Sequence, residues 1–157
     1  EIIAVDDHEL IVNFLDMMEN HKMLVENSGL LTVAALKHLD CKGKKIVSIL
    51  SGGNMDVITL SSVVQHGLIE RGRVFTVSVQ LPDRPGELVN VANVIAKLKG
   101  NVIRLEHNQF VSINRNSAVE LRITLEAFGH EHKKEIIDAL RNHGYDPKEE
   151  SPTGLYE

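Results

Sequence analysis

Two segments in the second half of the chain alternate apolar and polar side chains with a period of two residues. They lie at residues 75–81 and 119–126, and each places four apolar side chains on one side. Because successive side chains of a strand point to opposite faces, this pattern predicts two strands that bury one face and expose the other. A chain with such segments must build a sheet that is covered on one side.

The elements around these strands predict the topology of residues 73–150. A turn cluster at 82–87 precedes a helix that Gly100 ends, a strand follows at 101–111, and a hairpin turn is expected at 114–117. A second helix at 130–143 leads to a short last strand that starts at Tyr145. The resulting β-α-β-β-α-β order predicts a ferredoxin-like fold, with a four-stranded antiparallel sheet and both helices on one face. The apolar stripe of the first helix comprises Leu88, Val91, Ala92, Ile95 and Leu98.

Residues 1–72 alternate short strand and helix patterns, which is typical of an α/β fold. Strands are predicted at 2–5, 22–26 and 45–50, and the last is a continuous apolar run typical of a strand buried on both faces. Three short strands are few for an independent sheet, and the chain starts inside a strand pattern without Met. We therefore expect residues 1–72 to be an incomplete part of a longer α/β domain.

Three helices are predicted in these residues from their apolar spacing and N-cap residues. Asp6 and Asp7 are suited to cap the first, Ser28 the second, and either Asn54 or Asp56 the third. The expected buried faces consist of Leu10, Ile11, Phe14, Leu15 and Met18 in the first helix, Leu31, Ala34, Ala35 and Leu39 in the second, and Val57, Leu60, Val64 and Leu68 in the third.

Composition excludes several classes of protein. A formal net charge of -5 argues against general nucleic-acid binding, which needs a basic face. No apolar run approaches the roughly 18 residues of a membrane span. The single Cys41 has no partner for an internal disulfide, which suits a reducing compartment, and we expect a cytoplasmic protein. Residues 151–157 are predicted to form a solvated tail.

The turn at residues 83–88 joins a strand to a helix and carries candidate binding groups. Gly86 near the helix start leaves backbone amides uncovered, and these could hold a carboxylate with help from the helix dipole. Asp83 could either cap the helix or meet the ammonium group of a ligand. A capped helix start with Pro and Gly shaping the turn explains the same residues without a ligand, so the spacing leaves both interpretations open.

The string LPDRPGEL at the end of the first strand of a β-α-β-β-α-β unit resembles the ACT domain, a regulatory module that senses amino acids. The resemblance covers about residues 73–150. It implies that the first loop contacts an amino-acid effector, and that the second strand of a neighbouring copy completes the pocket. The effector-binding residues implied in this way are Asp83, Arg84, Pro85, Gly86, Leu88, His107 and Asn108.

The string LSGGN, followed by a helix and an ACT-like unit, resembles the C-terminal part of threonine dehydratase, an enzyme family that uses pyridoxal phosphate. The segment at residues 4–36 resembles the stretch that precedes SGGN in that family. The implied fold for residues 1–72 is part of a fold-type-II α/β domain. The resemblance implies that Ser51 hydrogen-bonds the pyridine nitrogen and that the backbone at Gly52, Gly53 and Asn54 approaches the cofactor ring. It also implies that Glu26 lies near the ring, although the sequence VENSGL departs from the family's usual motif there.

The family's Schiff-base lysine motif and its glycine-rich phosphate loop do not occur in these 157 residues. Covalent catalysis needs that amine, so we expect this chain alone to be inactive and to bind no pyridoxal phosphate. The parent enzyme would deaminate L-threonine, with L-serine as a second substrate. Isoleucine, valine, threonine and serine are the candidate effectors, and the ACT-like units are expected to form a homodimer or tetramer. The alternative is a stand-alone amino-acid sensor without enzymatic activity.

Two further clusters offer weaker candidates. His130, His132 and His143 could recruit a metal, but positions 130 and 132 of a helix do not face each other, and solvated histidines are the simpler interpretation. Lys42, Lys44 and Lys45 precede a predicted strand, and a solvated loop is expected there rather than a phosphate site.

Overall fold

The computed structural model describes residues 2–108 and 119–150, which form two compact units. The first unit comprises the described residues up to Glu70, and the second those from Arg71 on. Each unit has its own apolar core. Within the described part of the chain, no helix is long and apolar enough to span a bilayer.

The second unit contains one four-stranded antiparallel sheet and two helices. Its elements are β1 (Val74–Leu81), α4 (Glu87–Lys97), β2 (Asn101–Asn108), β3 (Val119–Glu126), α5 (His130–Asn142) and β4 (Lys148–Glu150). The strand order is β2-β3-β1-β4, so β1 and β3 occupy the centre. The predicted β-α-β-β-α-β order and the antiparallel sheet are confirmed.

One face of β1 and β3 forms the core with the two helices. The odd-numbered apolar residues of both strands are buried, as their period of two predicts. All of them except Val119 pack in one cluster with Val91, Val94 and Ile95 of α4 and Ile136, Ile137 and Leu140 of α5. The stripe predicted for α4 is partly wrong, because Ala92 is exposed, Leu88 is 36% exposed and Val94 is buried instead.

The other face of β3 was expected to contact water, yet Thr124 is buried, as are Thr76 and Ser78 of the neighbouring β1. The hydroxyls of Thr76 and Thr124 lie 3.0 Å apart across the β1–β3 pair, so each supplies the other with a hydrogen-bond partner. A buried hydroxyl without a partner would be costly, which explains why the two threonines face each other in register.

The edges of the second unit differ from the sequence prediction in detail. The register of β2 against β3 shifts between Val102 and Arg104, and Ile103 and Leu105 are 46% and 41% exposed. The last strand begins at Lys148 rather than at Tyr145, because Tyr145 is held at the end of α5, where its amide donates to the Leu140 carbonyl at 3.1 Å. Val111 and the hairpin turn predicted at 114–117 lie outside the described residues.

The first unit is helical, with α1 (Asp7–His21), α2 (Asn27–Ala34), a short 3-10 helix (Ala35–His38) and α3 (Val57–Glu70). Asp6 caps α1 as predicted, in a capping box with Glu9. The hydrogen bond from His38 lowers the pKa of Glu9, and the hydrogen bond from the Asp6 amide lowers it further. The core of this unit comprises Leu10, Phe14, Leu15, Met17, Val25, Leu30, Ala34 and Val63.

The caps of the other two helices were partly mispredicted. Helix α2 begins after Glu26, and Ser28 lies inside the helix with its hydroxyl donating to the Glu26 carboxylate. Asp56, not Asn54, caps α3 by accepting from the amide and hydroxyl of Thr59, and these bonds lower the pKa of Asp56. Val57 of the predicted apolar face is exposed, since the helix buries Val63 and Gly67 instead.

The strands predicted at residues 2–5, 22–26 and 45–50 are wrong for this structure. None of these segments pairs in a sheet, and Val47 and Ile49 of the third are 88% and 75% exposed. A strand buried on both faces needs hydrogen-bonded neighbours and covering layers, and the described residues of the first unit supply neither. The apolar pattern therefore identifies a strand-forming segment without the sheet that would bury it.

Replacing Leu121 by Ala tests how much the apolar core of the second unit contributes to stability. Leu121 is fully buried at the centre of β3, so the variant should lose about 2–5 kcal/mol of unfolding free energy in a urea titration. Tyrosine fluorescence is a suitable probe, because the chain has no Trp and both of its tyrosines lie beyond Arg71. The matched control Glu135→Ala changes an exposed residue of α5 and should shift the free energy by no more than about 0.5 kcal/mol.

Candidate functional sites

The turn at residues 51–54, here called the glycine turn, is held against the start of α2. The Glu26 amide donates to the Gly52 carbonyl at 3.2 Å, and Gly52 has a φ of +78°, a conformation that glycine adopts readily. A methyl group at Gly52 would come within 2.3 Å of the Glu26 carboxylate. The structure thus brings together two of the residues assigned to the cofactor by resemblance, although they are distant in sequence.

Gly29 is a residue of this site that the sequence reasoning missed. A methyl group there would lie 1.8 Å from the Ser51 carbonyl oxygen, which is backbone and cannot yield. Helix α2 can approach the glycine turn only because residue 29 has no side chain. The available signal was a glycine in the first turn of a helix, where it lowers helix propensity unless close packing requires it.

The side chains of the glycine turn leave some groups free for a ligand. Ser51, Gly53 and Asn54 are exposed, and Glu26 accepts a hydrogen bond of 2.7 Å from Ser28. A methyl group at Gly53 would approach the Leu24 carbonyl to 3.1 Å, so this position also favours glycine. The turn can therefore offer a hydroxyl, an amide side chain and bare backbone to a flat ring, which fits one wall of a pyridoxal phosphate site.

The second candidate site is a cleft where β1 runs into α4, here called the β1–α4 cleft. It has a volume of about 310 Å³. It unites the loop predicted at residues 83–88 with His107 of β2, within a single chain. Asn108 ends β2 opposite Glu120, and its side chain is outside the described part of the structure. The residues that line the cleft are Leu81, Pro82, Asp83, Arg84, Pro85, Gly86, Glu87, Leu88, His107 and Val119.

Gly86 shapes the floor of this cleft. It precedes α4 with a φ of +96°, provides no side-chain cap, and has open space where a side chain would stand. The amide of Glu87 donates to Arg84 and that of Asn90 to Gly86, whereas the described residues provide no acceptor for the amides of Leu88 and Val89. Two helix-terminal donors therefore remain available to an anionic group.

The charged groups around the cleft have both signs. Asp83 and Glu87 contribute carboxylates, while Arg84 contributes a guanidinium and His107 an imidazole. The Tyr145 hydroxyl donates to the Glu87 carboxylate at 3.4 Å. Burial raises the pKa of Tyr145, and the negative charge of Glu87 raises it further. The cleft can thus contact both ends of a zwitterion, while Leu81, Leu88 and Val119 supply apolar walls.

The three histidines considered for a metal site have other environments. No group of three or more His, Cys, Asp or Glu side chains in residues 2–108 and 119–150 is arranged to hold a metal ion. The expectation of solvated histidines is wrong for His132, which is half-buried and bonds to the Leu98 carbonyl at 2.7 Å and the Phe128 amide at 3.0 Å. His132 therefore ties the end of α4 to the start of α5.

No protein-family model matches this chain. The chain is 37% identical over 148 residues to a protein of Geobacter sulfurreducens named L-threonine ammonia-lyase. This alignment covers 92% of the chain and 37% of that protein. A Thermotoga maritima protein of the same name is 33% identical over 147 residues, covering 93% and 37%. A Pasteurella multocida protein named L-threonine dehydratase biosynthetic IlvA is 28% identical over 152 residues, covering 93% and 28%. The chain thus spans 28% to 37% of the length of these relatives.

Among solved structures, a prephenate dehydratase from Streptococcus mutans matches 48% of this chain and 40% of its own, with 18% identity and a TM-score of 0.42. A TM-score of this size does not establish a shared fold.

Replacing Gly29 by Ala tests the packing of the glycine turn. The added methyl collides with the Ser51 carbonyl, so we expect a large loss of helical circular dichroism or a melting temperature several degrees below that of the unchanged chain. The control Gly43→Ala also changes a glycine of the first unit, but it faces open space at a φ of +72° and incurs backbone strain alone. Equal destabilisation by both variants would show that Gly29 is not in close contact with the turn.

Proposed function

The chain is a relative of the L-threonine ammonia-lyases, and we propose that it is the C-terminal, regulatory part of such an enzyme. Residues 1–72 would complete the catalytic domain of the parent protein, and residues 73–150 would form an ACT domain that binds an amino-acid effector. The parent enzyme would convert L-threonine to 2-oxobutanoate and ammonia, and would also accept L-serine.

The β1–α4 cleft is the observation that carries the regulatory part of the proposal. The free amides of Leu88 and Val89 and the guanidinium of Arg84 are suited to the carboxylate of an amino acid. Asp83 is suited to its ammonium group. The apolar walls favour a short aliphatic side chain, so isoleucine and valine are the first candidates, followed by threonine and serine.

The glycine turn supports the catalytic part of the proposal. Pyridoxal phosphate acts as an electron sink in the parent enzyme. In this chain, the Ser51 hydroxyl is exposed and would hydrogen-bond the pyridine nitrogen, while Gly52 and Gly53 would let the backbone approach the ring. A neutral hydroxyl would leave that nitrogen unprotonated, so the ring would withdraw electrons less strongly than a ring whose nitrogen a carboxylate keeps protonated. Asn54 and Glu26 would be further residues of this cofactor site.

An independent amino-acid sensor is the second candidate, and one observation favours it. The second unit has an apolar core of its own, built from its two central strands and both of its helices. Such a unit does not need a catalytic domain to bury its sheet. In either case we propose a cytoplasmic protein that forms dimers or tetramers through the ACT domain, where the exposed Ile103 and Leu105 of the edge strand β2 would be covered.

Calorimetric titration of the 157-residue chain tests effector binding. We expect saturable binding of L-isoleucine or L-valine, with L-threonine and L-serine titrated in parallel. Gly86→Leu should abolish this binding, because the side chain would project into the cleft and the backbone would no longer reach a φ of +96° without strain.

The matched control is Gly43→Leu, which also replaces an open, positive-φ glycine but in the first unit, and which should leave the affinity unchanged. Absence of binding to the unchanged chain, or equal losses in both variants, would contradict an effector site in the β1–α4 cleft.

An assay for ammonia release tests the enzymatic part. The purified 157-residue chain with added pyridoxal phosphate should release no ammonia from L-threonine above the rate of the cofactor alone, because no Schiff-base lysine motif is present in it. A full-length relative such as the Geobacter sulfurreducens protein is the positive control. Turnover by the chain itself would show that one of its own lysines serves as the catalytic amine.

A further inference from the structure

We propose that Tyr145 is a positioning residue of the β1–α4 cleft, whose hydroxyl holds the Glu87 carboxylate away from the free amides at the start of α4. The inference rests on the proposed binding of an amino acid in this cleft. It assigns a role to a residue that lies outside the loop and strand in which the ligand contacts were predicted, and that does not line the cleft itself.

Tyr145 is well placed to act as a fixed anchor. Its amide donates to the Leu140 carbonyl at the end of α5, and its half-buried ring packs against the core of the second unit. Two residues later, Pro147 is buried just before β4. The hydroxyl at the end of this ring reaches across to Glu87 Oε2 at 3.4 Å. Because the ring is held by packing, the position of the hydroxyl is set by the core and not by the loop.

Glu87 is the residue that would otherwise compete with a ligand. It is the first residue of α4 and lines the cleft, directly after a glycine that provides no side-chain cap. A carboxylate is attracted to the N-terminal end of a helix, where unpaired amides and the dipole favour negative charge. The nearest unpaired amides are those of Leu88 and Val89, which are the donors proposed to bind the carboxylate of the effector.

The hydrogen bond from Tyr145 gives Glu87 an alternative partner away from those amides. With the bond in place, the Glu87 carboxylate forms part of the wall, and the amides stay available. Without it, the side chain is free to turn toward the amides and to act as an internal anion that the effector must displace. Asp83 also faces the cleft, while Arg84 provides the opposing positive charge, so Glu87 is one of two carboxylates whose placement decides the local potential.

The test is a double-mutant cycle in calorimetric titrations with L-isoleucine and L-valine. Tyr145→Phe keeps the ring and its packing, and it should weaken binding about five-fold, as expected for the loss of one organising hydrogen bond. Glu87→Gln removes the competing charge and should bind at least as tightly as the unchanged chain. In the Glu87→Gln background, Tyr145→Phe should have no further effect, because no internal anion remains to be held back.

A second measurement detects the hydrogen bond without a ligand. In a Tyr156→Phe background, the ultraviolet absorbance of ionised tyrosine reports Tyr145 alone, since the chain has two tyrosines. Glu87→Gln should lower the pKa of Tyr145 toward its ordinary value, because the negative charge that opposes ionisation is gone. The melting temperature of Tyr145→Phe should stay close to that of the unchanged chain, which separates positioning from folding.

The outcomes distinguish this inference from the proposed function. If the unchanged chain binds neither amino acid, both the proposed effector site and this role of Tyr145 are contradicted. If it binds but Tyr145→Phe has the same affinity, or loses the same factor in the Glu87→Gln background, only the positioning role is overturned. An unchanged Tyr145 titration in Glu87→Gln would also overturn it, because the two groups would then not interact.

Discussion

The packing of α4 and α5 against one face of β1 and β3 is the interaction on which the second unit depends. Burial of apolar area is the main favourable contribution to folding, and here it comes from two central strands and two helices that share one cluster. The same packing positions the cleft. Leu81 is buried at the end of β1, and Val91 is buried in α4, so the loop between them is fixed at both ends. The groups of this loop can then meet a ligand without large loss of conformational entropy.

The first unit is organised differently, around helices that enclose Phe14, Leu15 and Leu30. Its glycine turn is held by close backbone approach: Gly29 lies against the Ser51 carbonyl, and Gly52 lies beside Glu26. This geometry leaves the Ser51 hydroxyl exposed beside closely packed backbone, as the proposed cofactor site would need. The exposed apolar segment at residues 45–50 leads directly into that turn.

The two candidate sites therefore use the same physical device in different ways. At the glycine turn, the absence of side chains lets backbone approach backbone. At the β1–α4 cleft, the positive φ of Gly86 starts a helix without a side-chain cap and leaves two amides open. Glycines allow close packing in the first site and an uncapped helix start in the second, and the charged residues around the second would select the chemical group of the proposed ligand. The proposed placement of Glu87 by Tyr145 would contribute to this selection by charge.

Alternation and loop residues were enough to predict the element order of the second unit and the apolar faces of its central strands. A period of two over β1 and β3 specifies which face forms the core, and LPDRPGEL marks the turn between strand and helix. The resemblance implied that His107 would reach this loop from a neighbouring copy, whereas the structure places it beside Asp83 and Gly86 within one chain. Tertiary structure decided the rest. The apolar run at 45–50 reads as a buried strand, but a strand is stable only with partners, and pairing is a property of the fold rather than of the segment. The sequence did not indicate the roles of Gly29 and Tyr145 for a related reason. Gly29 contacts Ser51 and Tyr145 contacts Glu87, and only the packing of the fold brings these residues, which are distant in sequence, together.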